Sequence, residues 1–229
     1  ILNGIDTDYY NPATDKSVFA NYSAENPEPK KKCKEELQKM FNLPVKAETP
    51  IIAIISRLVA HKGLDLVRTV IEEVLRQDVQ VIILGKGDSS YENYFSDLSR
   101  RYVGKLVTVI AFNPDLSRKI YSGADLFLMP SKSEPCGLSQ MIASRYGTVP
   151  IVRETGGLYD SIKPVGNGGN GFTFANYNAY DMLYVIREAL NCYYNKEFWS
   201  ELIRRVMSVD FSWQRSASEY EKIYGEMLK

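Results

Sequence analysis

Short apolar runs alternate along this sequence with longer amphipathic runs, and this alternation constrains the fold more than any other feature. Six apolar runs have the usual length of strands, at residues 51–56, 79–84, 106–111, 126–130, 149–153 and 171–174. Between them, apolar residues recur at helical spacing, as do Leu64, Val67 and Ile71. Strands that alternate with helices are typical of βαβ units, so the pattern predicts a six-stranded parallel sheet with helices on both faces.

The whole chain is predicted to form one Rossmann-like three-layer α/β domain, residues 1–229. Residues 1–45 are a turn-rich lead-in followed by a helix at 30–41, which we expect to be a satellite of the main body. Residues 50–208 form the core, with helices at 64–75, 91–102, 116–122, 138–146 and 159–162. Three further helical segments occupy 178–229, and Ser212 is the expected N-cap of the last one, at 211–229.

Composition narrows the function classes. The 28 Lys and Arg balance 28 Asp and Glu, so no overall field favours nucleic acid or an anionic membrane. No apolar run approaches the roughly 20 residues that cross a bilayer. The three cysteines, Cys33, Cys136 and Cys192, are widely spaced and only one histidine is present, so we expect neither a disulfide framework nor a metal site. An odd number of widely spaced cysteines suits a reducing cytoplasm. The sequence opens with Ile1 rather than Met and has no signal-like pattern, which predicts a piece of a longer protein.

Two cations follow the first predicted strand. Arg57 and Lys62 lie in the loop before a helix that Gly63 opens. Because ligands of open parallel sheets bind outside the carboxyl ends of the strands, the two cations are candidates for binding a diphosphate. The alternative is that both are solvated surface side chains, which for such spacing alone is the better interpretation.

The loop after the fourth strand carries the candidate acid Glu134, followed by Cys136, Gly137, Leu138 and Ser139 at a helix start. Backbone amides there are candidates for binding sugar hydroxyls or a phosphate, with Glu134 accepting hydrogen bonds from a sugar. That Glu134 merely caps the helix is an equally good alternative.

Three glycines and one aromatic residue complete the candidates. Gly85 follows the second strand, while Gly156 and Gly157 open a helix after the fifth, where backbone could approach a ligand closely. The alternatives are a tight turn at Gly85 and close helix packing at the glycine pair. Phe112, past the third strand, is a candidate for stacking on a base, although such aromatics more often belong to a core.

Taken together, these loops resemble bacterial glycogen synthases and plant starch synthases, glycosyltransferase family 5. The resemblance rests on Ser56-Arg57-x4-Lys62-Gly63-Leu64-Asp65, Gly85-x-Gly87-Asp88, Ser131-x-x-Glu134-Pro135-Cys136-Gly137-Leu138, Tyr146-Gly147-Thr148-x-Pro150, Arg153-x-Thr155-Gly156-Gly157-Leu158, and the terminal Asn3-Gly4-Ile5-Asp6 and Phe211-Ser212-Trp213. It covers essentially the whole chain but only the C-terminal half of those enzymes.

The resemblance implies the C-terminal, donor-binding domain of a GT-B glycosyltransferase. It implies ADP-glucose as donor, the non-reducing end of an α-1,4-glucan as acceptor, retention of configuration, and no metal or other cofactor. Arg57 and Lys62 then meet the leaving diphosphate and Glu134 the glucose. Gly137, Leu138 and Ser139 meet glucose and phosphate, and Phe112 stacks on adenine.

One departure from related sugar transferases narrows the resemblance further. They place a second acid eight residues after the first, whereas this chain has Ile142, which argues against the sucrose-synthase-like group. The family's acceptor-side residues belong to an N-terminal domain, so the resemblance implies that this chain alone binds donor weakly and transfers nothing. The last helix, 211–229, crosses back to that domain in the family.

Two other functions remain open from the sequence. One is a GT-B transferase with a UDP-sugar donor, because cationic loops recognise any diphosphate. The other is a non-catalytic nucleotide-sugar or glucan-binding module that uses some of the 16 tyrosines as stacking platforms. The sequence also does not decide the donor base preference, the oligomeric state, the regulation, or whether the product is glycogen or starch. For a plant or algal source, a plastid location is open as well.

Overall fold

A computed structural model describes residues 1–228. Its centre is a six-stranded sheet in the order β3-β2-β1-β4-β5-β6, with every neighbouring pair parallel. The strands are β1 Ile51–Ile55, β2 Gln80–Gly85, β3 Leu106–Ile110, β4 Leu126–Met129, β5 Val149–Arg153 and β6 Phe172–Phe174. The predicted Rossmann-like α/β fold is therefore confirmed, with strand bounds that differ from the prediction by no more than one residue.

Helices cover both faces of the sheet. They are α1 Lys30–Met40, α2 Leu64–Leu75, α3 Ser89–Arg101, α4 Pro114–Gly123, α5 Ser139–Arg145, α6 Gly156–Ser161, α7 Ala179–Tyr194, α8 Lys196–Met207 and α9 Trp213–Met227, with short 3-10 helices at Ala60–Lys62 and Val165–Asn167. Helix α6 begins at Gly156, three residues before the predicted apolar run at 159–162, so the glycine pair forms its first turn. No helix within residues 1–228 is both long and apolar enough to span a membrane.

The sheet is buried on both faces because successive strand residues point in opposite directions. In β1, Ile52 and Ile54 enter a core that α2, α3, α7 and α8 complete, whereas Ile51 and Ala53 enter a second core under α1, α4, α5 and α6. Such two-sided burial explains why the strands are apolar throughout rather than alternating with polar residues.

Helix α1 belongs to the main body, so the prediction that it is a satellite was wrong. Cys33 and Leu37 are fully buried. Lys34 pairs with Asp125 at 2.8 Å, and Lys30 donates from Nζ to the carbonyl oxygens of Ser122 and Tyr146, at 2.8 and 3.0 Å. Inward-facing polar side chains thus fasten α1 to the core through hydrogen bonds as well as apolar contacts.

The two ends of the chain meet at the start of α9. The amide of Ile5 donates to the carbonyl of Phe211 at 2.8 Å, and Ser212 caps α9 by accepting from the amide of Arg215, as predicted. Beyond this contact α9 leaves the body, and Ser216 is the one buried residue within this described helix.

The chain order places a switch point between β1 and β4. From β1 the chain proceeds to β2 and β3 on one side, and from β4 to β5 and β6 on the other. The loops after β1 and β4 therefore both emerge at the carboxyl edge beside the switch point, which is where open α/β sheets bind their ligands.

Candidate functional site

The loop after β1 carries Arg57 and Lys62 and lies directly against the loop after β4. Gly63, at φ +75°, ends the 3-10 turn, and a Cβ there would lie 2.0 Å from the carbonyl oxygen of Pro130. The amide of Lys132 also donates to the carbonyl of His61 at 2.9 Å. The two loops at the switch point are thus held together through their backbones.

Lys62 and Glu134 form an ion pair across these loops. Lys62 Nζ lies 2.5 Å from Glu134 Oε2, and the two side chains are only 16% and 11% exposed. The hydroxyl of Ser131 donates to the same carboxylate oxygen at 3.4 Å. Within residues 1–228, Glu134 Oε1 accepts no hydrogen bond, so half of this carboxylate is available to a ligand. A ligand at Glu134 therefore lies beside a fixed positive charge.

Arg57 extends towards solvent beside the ion pair. Its side chain is exposed, and its Nη2 lies 3.4 Å from Nε2 of the equally exposed His61. Because a guanidinium only donates, the His61 nitrogen accepts in this contact. The Arg57 side chain makes no other hydrogen bond with the described residues, so most of its donors can meet an anion.

The segment before α5 presents unpaired backbone amides. Gly137 takes a left-handed conformation, φ +71°, and the N-cap residue Leu138 makes no side-chain cap. The amides of Leu138, Ser139 and Gln140 donate to no oxygen in the described part of the chain. Buried Gln140 instead donates from its side chain to the carbonyls of Cys136 and Gly137, at 3.3 and 2.9 Å, which fixes the segment.

Gly157 allows close packing, which was the alternative given for the glycine pair in the sequence analysis. Its amide already donates to the carbonyl of Glu134 at 3.0 Å, and a Cβ on it would lie 1.9 Å from the carbonyl oxygen of Cys136. The expectation that this amide is free for a ligand was therefore wrong, because the loop after β4 occupies it. The Gly156 amide makes no backbone hydrogen bond within residues 1–228, although a Cβ there would lie 2.3 Å from the Glu134 carbonyl oxygen.

Gly85 also supports a loop. A Cβ on this buried residue would lie 2.0 Å from the carbonyl oxygen of Ser56, so only glycine lets the turn after β2 pack against the loop of Arg57. By contrast, Phe112 is 89% exposed at the end of β3, outside either core. The carboxyl edge therefore presents an aromatic ring, two cations and an acid in strand order.

Arg153 is the residue of this region that the sequence did not single out as a site residue. It ends β5, and its guanidinium donates to the carbonyls of Ser131 and Lys132, at 2.9 and 2.5 Å. Arg153 is part of the motif that contains the glycine pair, but nothing in the amino-acid sequence indicated that its side chain contacts the loop of Glu134.

A family comparison decides what kind of protein carries this site. The profile of the family described as "Glycosyl transferases group 1" matches residues 35–205, which include every strand and the loops of Arg57, Lys62 and Glu134.

The chain belongs to the group 1 glycosyl transferases.

Individual members of this family that resemble the chain are named glycogen synthases. The chain is 49% identical over 232 residues to one from Bacillus cereus (strain Q1), and 50% identical to one from Clostridium acetobutylicum. Both comparisons cover all of this chain and 49% of the relative, so the chain spans about half the length of these curated relatives.

A solved structure agrees with these relatives. The catalytic domain of starch synthase IV from Arabidopsis thaliana, solved with bound ADP and acarbose, superposes with a TM-score of 0.92 at 38% identity. The superposition covers 99% of this chain and 48% of that one. The resemblance to glycogen and starch synthases that the loop motifs predict is thereby confirmed.

Proposed function

We propose that this chain is the donor-binding part of a glucosyltransferase that takes glucose from ADP-glucose and adds it, with retention, to the non-reducing end of an α-1,4-glucan. The observation that carries the proposal is the Lys62–Glu134 ion pair, which joins the loops after β1 and β4 at the switch point. The names of the relatives and the ADP in the Arabidopsis structure support the nucleotide and the polymer.

Arg57 and Lys62 bind the diphosphate in this proposal. Negative charge grows on the diphosphate as its bond to glucose breaks, and fixed cations in place beforehand stabilise that charge. Arg57 contributes hydrogen-bond donors that are free of protein partners, and Lys62 contributes a charge whose position Glu134 fixes. The same two cations then take the part that a divalent metal ion takes in other phosphate chemistry.

Glu134 and the amides before α5 hold the glucose. The unoccupied Oε1 of Glu134 accepts from sugar hydroxyls, while the unpaired amides of Leu138 and Ser139 donate to sugar or phosphate oxygens. We assign Glu134 no nucleophilic role. Cys136 and Gly137 belong to this segment and shape it. The glycines at 85, 156 and 157 contribute indirectly, because they allow the surrounding loops to pack closely.

Phe112 is assigned to the adenine. It follows β3, two strands from β1, and neighbouring strands lie about 4.8 Å apart, so the ring and Arg57 are separated by roughly 10 Å along the edge. A ribose joins a base and a diphosphate over a comparable span. An exposed aromatic ring gains apolar contact when a base stacks on it, which gives Phe112 a reason to lie outside the core.

The glucan acceptor requires a further domain in this proposal. Arg57 and Phe112 are both exposed to solvent, so this chain does not enclose a donor bound between them. Helix α9 exposes an apolar row, Trp213, Tyr220, Ile223, Tyr224 and Met227, between 44% and 77% exposed. We assign this row to contact with the N-terminal half of a two-domain enzyme, and we place that enzyme in the cytoplasm.

Calorimetric titration with ADP tests the donor site. Arg57→Ala and Lys62→Ala should each weaken binding by about 1.5–3 kcal/mol, roughly 10- to 150-fold in Kd, since each removes a charged hydrogen bond. The matched control is Arg100→Ala, an exposed arginine on α3 whose removal should leave Kd unchanged. Equal ADP affinity in the wild type and both site variants would mean that these cations are solvated surface side chains that bind no diphosphate.

Two further experiments separate the proposed function from the UDP-sugar transferase and from the non-catalytic module. Competition between ADP-glucose and UDP-glucose decides the base, and preference for the uridine nucleotide would replace the proposed donor. Mixing the chain with a separately produced N-terminal half should restore glucose transfer to glycogen. A mixture that binds both ligands but transfers nothing would favour a non-catalytic module.

A further inference from the structure

Arg153 joins the loops that follow three neighbouring strands. It is the last residue of β5, and its Nε and Nη2 donate to the carbonyls of Ser131 and Lys132 after β4, at 2.9 and 2.5 Å. Its Nη1 donates to the carbonyl of Ala175 after β6 at 3.4 Å. A planar guanidinium with donors in a fixed fork suits three separate carbonyls in a way that an ammonium does not. These donors are thus engaged with backbone oxygens rather than free for a ligand.

Tyr177 holds this guanidinium from the outer side. Its ring centroid lies 5.5 Å from Arg153 Cζ and 5.6 Å from Lys132 Nζ, so two cations flank one aromatic ring. Its hydroxyl donates to Asp65 Oδ1 at 2.5 Å. Burial, and the hydrogen bond to Asp65, raise the pKa of the Tyr177 hydroxyl, so it remains a proton donor throughout the neutral range.

The two ends of this network lie close in the chain to the two members of the ion pair. Asp65 lies three residues after Lys62, at the start of α2, and Lys132 lies two residues before Glu134. The network therefore links the start of α2, which follows the Lys62 loop, to the loop of Glu134, from the side of β5 and β6. The network contains two cations, Arg153 and Lys132, and one carboxylate, Asp65, and none of its described contacts is to Glu134 Oε1.

We propose that Arg153 is a positioning residue for glucose transfer, which sets the distance between the Glu134 loop and the Lys62 loop, with Tyr177 and Asp65 holding its guanidinium. The proposal rests on the proposed function, because it assumes that Glu134 meets the glucose. A displacement of about 1 Å at a reacting centre can lower a rate by roughly 100-fold, so the effect belongs in kcat more than in ADP affinity.

Steady-state kinetics of the complete enzyme that carries this chain test the role of Arg153. Arg153→Lys and Arg153→Met should each lower kcat at least about tenfold, with the Kd for ADP within about threefold of the wild type. Arg187→Lys, at an exposed arginine on α7, is the matched control and should leave kcat unchanged. If Arg153→Lys restores wild-type kcat while Arg153→Met does not, the residue acts through its charge and the positioning role is overturned.

Amide hydrogen exchange gives a measurement that does not depend on activity. In the ligand-free protein, exchange of residues 131–139 should accelerate in Arg153→Lys and in Tyr177→Phe, and the double variant should add little, because both act on one network. Unchanged exchange in this segment would overturn the proposal, and so would faster exchange throughout the sheet, since that reports general destabilisation. A wild-type enzyme that binds no ADP would overturn the proposed function and with it the role of Arg153 in glucose transfer. The exchange measurement would still show whether Arg153 holds the Glu134 loop, so the two failures can be told apart.

Discussion

A single methyl group at Gly157 should displace the loop that carries Glu134. A Cβ there would lie 1.9, 2.4 and 2.5 Å from three backbone atoms of Cys136, and real Cβ atoms essentially never approach closer than 3.0 Å. Backbone cannot rotate away as a flexible side chain does. Gly157→Ala therefore requires the loop or α6 to move by at least 1.1 Å, the difference between 1.9 and 3.0 Å.

The free-energy cost follows from the same geometry. Overpacking of this size costs about 1–3 kcal/mol of stability. Gly157 does not have a positive φ, so the backbone of α6 adds no strain of its own. If the loop moves, Glu134 and the amides of the α5 segment move with it, and a misplacement of about 1 Å can lower kcat roughly 100-fold.

The assay compares Gly157→Ala with Gly166→Ala, a glycine without positive φ where a Cβ meets nothing within 4 Å. Urea unfolding measures the stability loss, and glucose transfer by the complete enzyme measures kcat. We expect the free energy of unfolding and kcat both to fall in Gly157→Ala, and neither to fall in Gly166→Ala. A stability loss with wild-type kcat would refute the reasoning, because it would mean that α6 yields and the loop stays.

Two further changes probe the base site and the attachment of α1. Phe112→Ala should weaken ADP binding by about 1–3 kcal/mol in calorimetry while Phe112→Tyr does not, since only the ring stacks; equal affinity of all three would place the base elsewhere. Burial lowers the pKa of Lys30 to about 8. Above that pH the folded chain has lost the Lys30 proton while the unfolded chain still holds it, so the cost of burying this amine falls as pH rises. The stability of the wild type relative to Lys30→Met, from urea unfolding, should therefore increase between pH 7 and 9.5, and a constant difference would contradict the lowered pKa.

The sheet was predictable because its strands are buried on both faces. Continuous apolar runs such as Ile51–Ile55 have no other stable place in a chain of this size, and the helical runs between them leave only a parallel arrangement. Strand ends were less predictable. Pro130 was predicted inside the fourth strand, but it has no amide hydrogen to continue a ladder, and β4 ends at Met129.

Helix α1 shows why apolar periodicity alone misplaced an element. Its buried positions, Lys30, Cys33, Lys34, Leu37 and Gln38, follow the ordinary spacing of an inward helical face. Three of them are polar and are buried because carbonyls, hydroxyls and Asp125 receive their hydrogen bonds. Since those partners lie far away in the sequence, the pattern resembles a solvated surface until the fold is known.

The candidate site was predictable in its members but less so in their roles. Position after a strand was enough to bring Arg57, Lys62 and Glu134 to one edge, because carboxyl ends of parallel strands meet there. Glycine identity alone does not say whether a ligand or another backbone makes the close approach, and at Gly157 it is the backbone of Cys136. Arg153 was not predicted as a site residue because its partners are main-chain oxygens, which leave no signature in side-chain identity.

The interlocking of the loops after β1 and β4 limits how this scaffold can be re-engineered. The His61 carbonyl, the Gly63 contact with Pro130 and the Lys132 amide form one backbone joint between segments about 70 positions apart in the chain. Grafting one loop from a transferase of different sugar preference would leave half of that joint without its counterpart. Chimeras should therefore exchange both loops together, and keep the arginine at the end of the fifth strand with them.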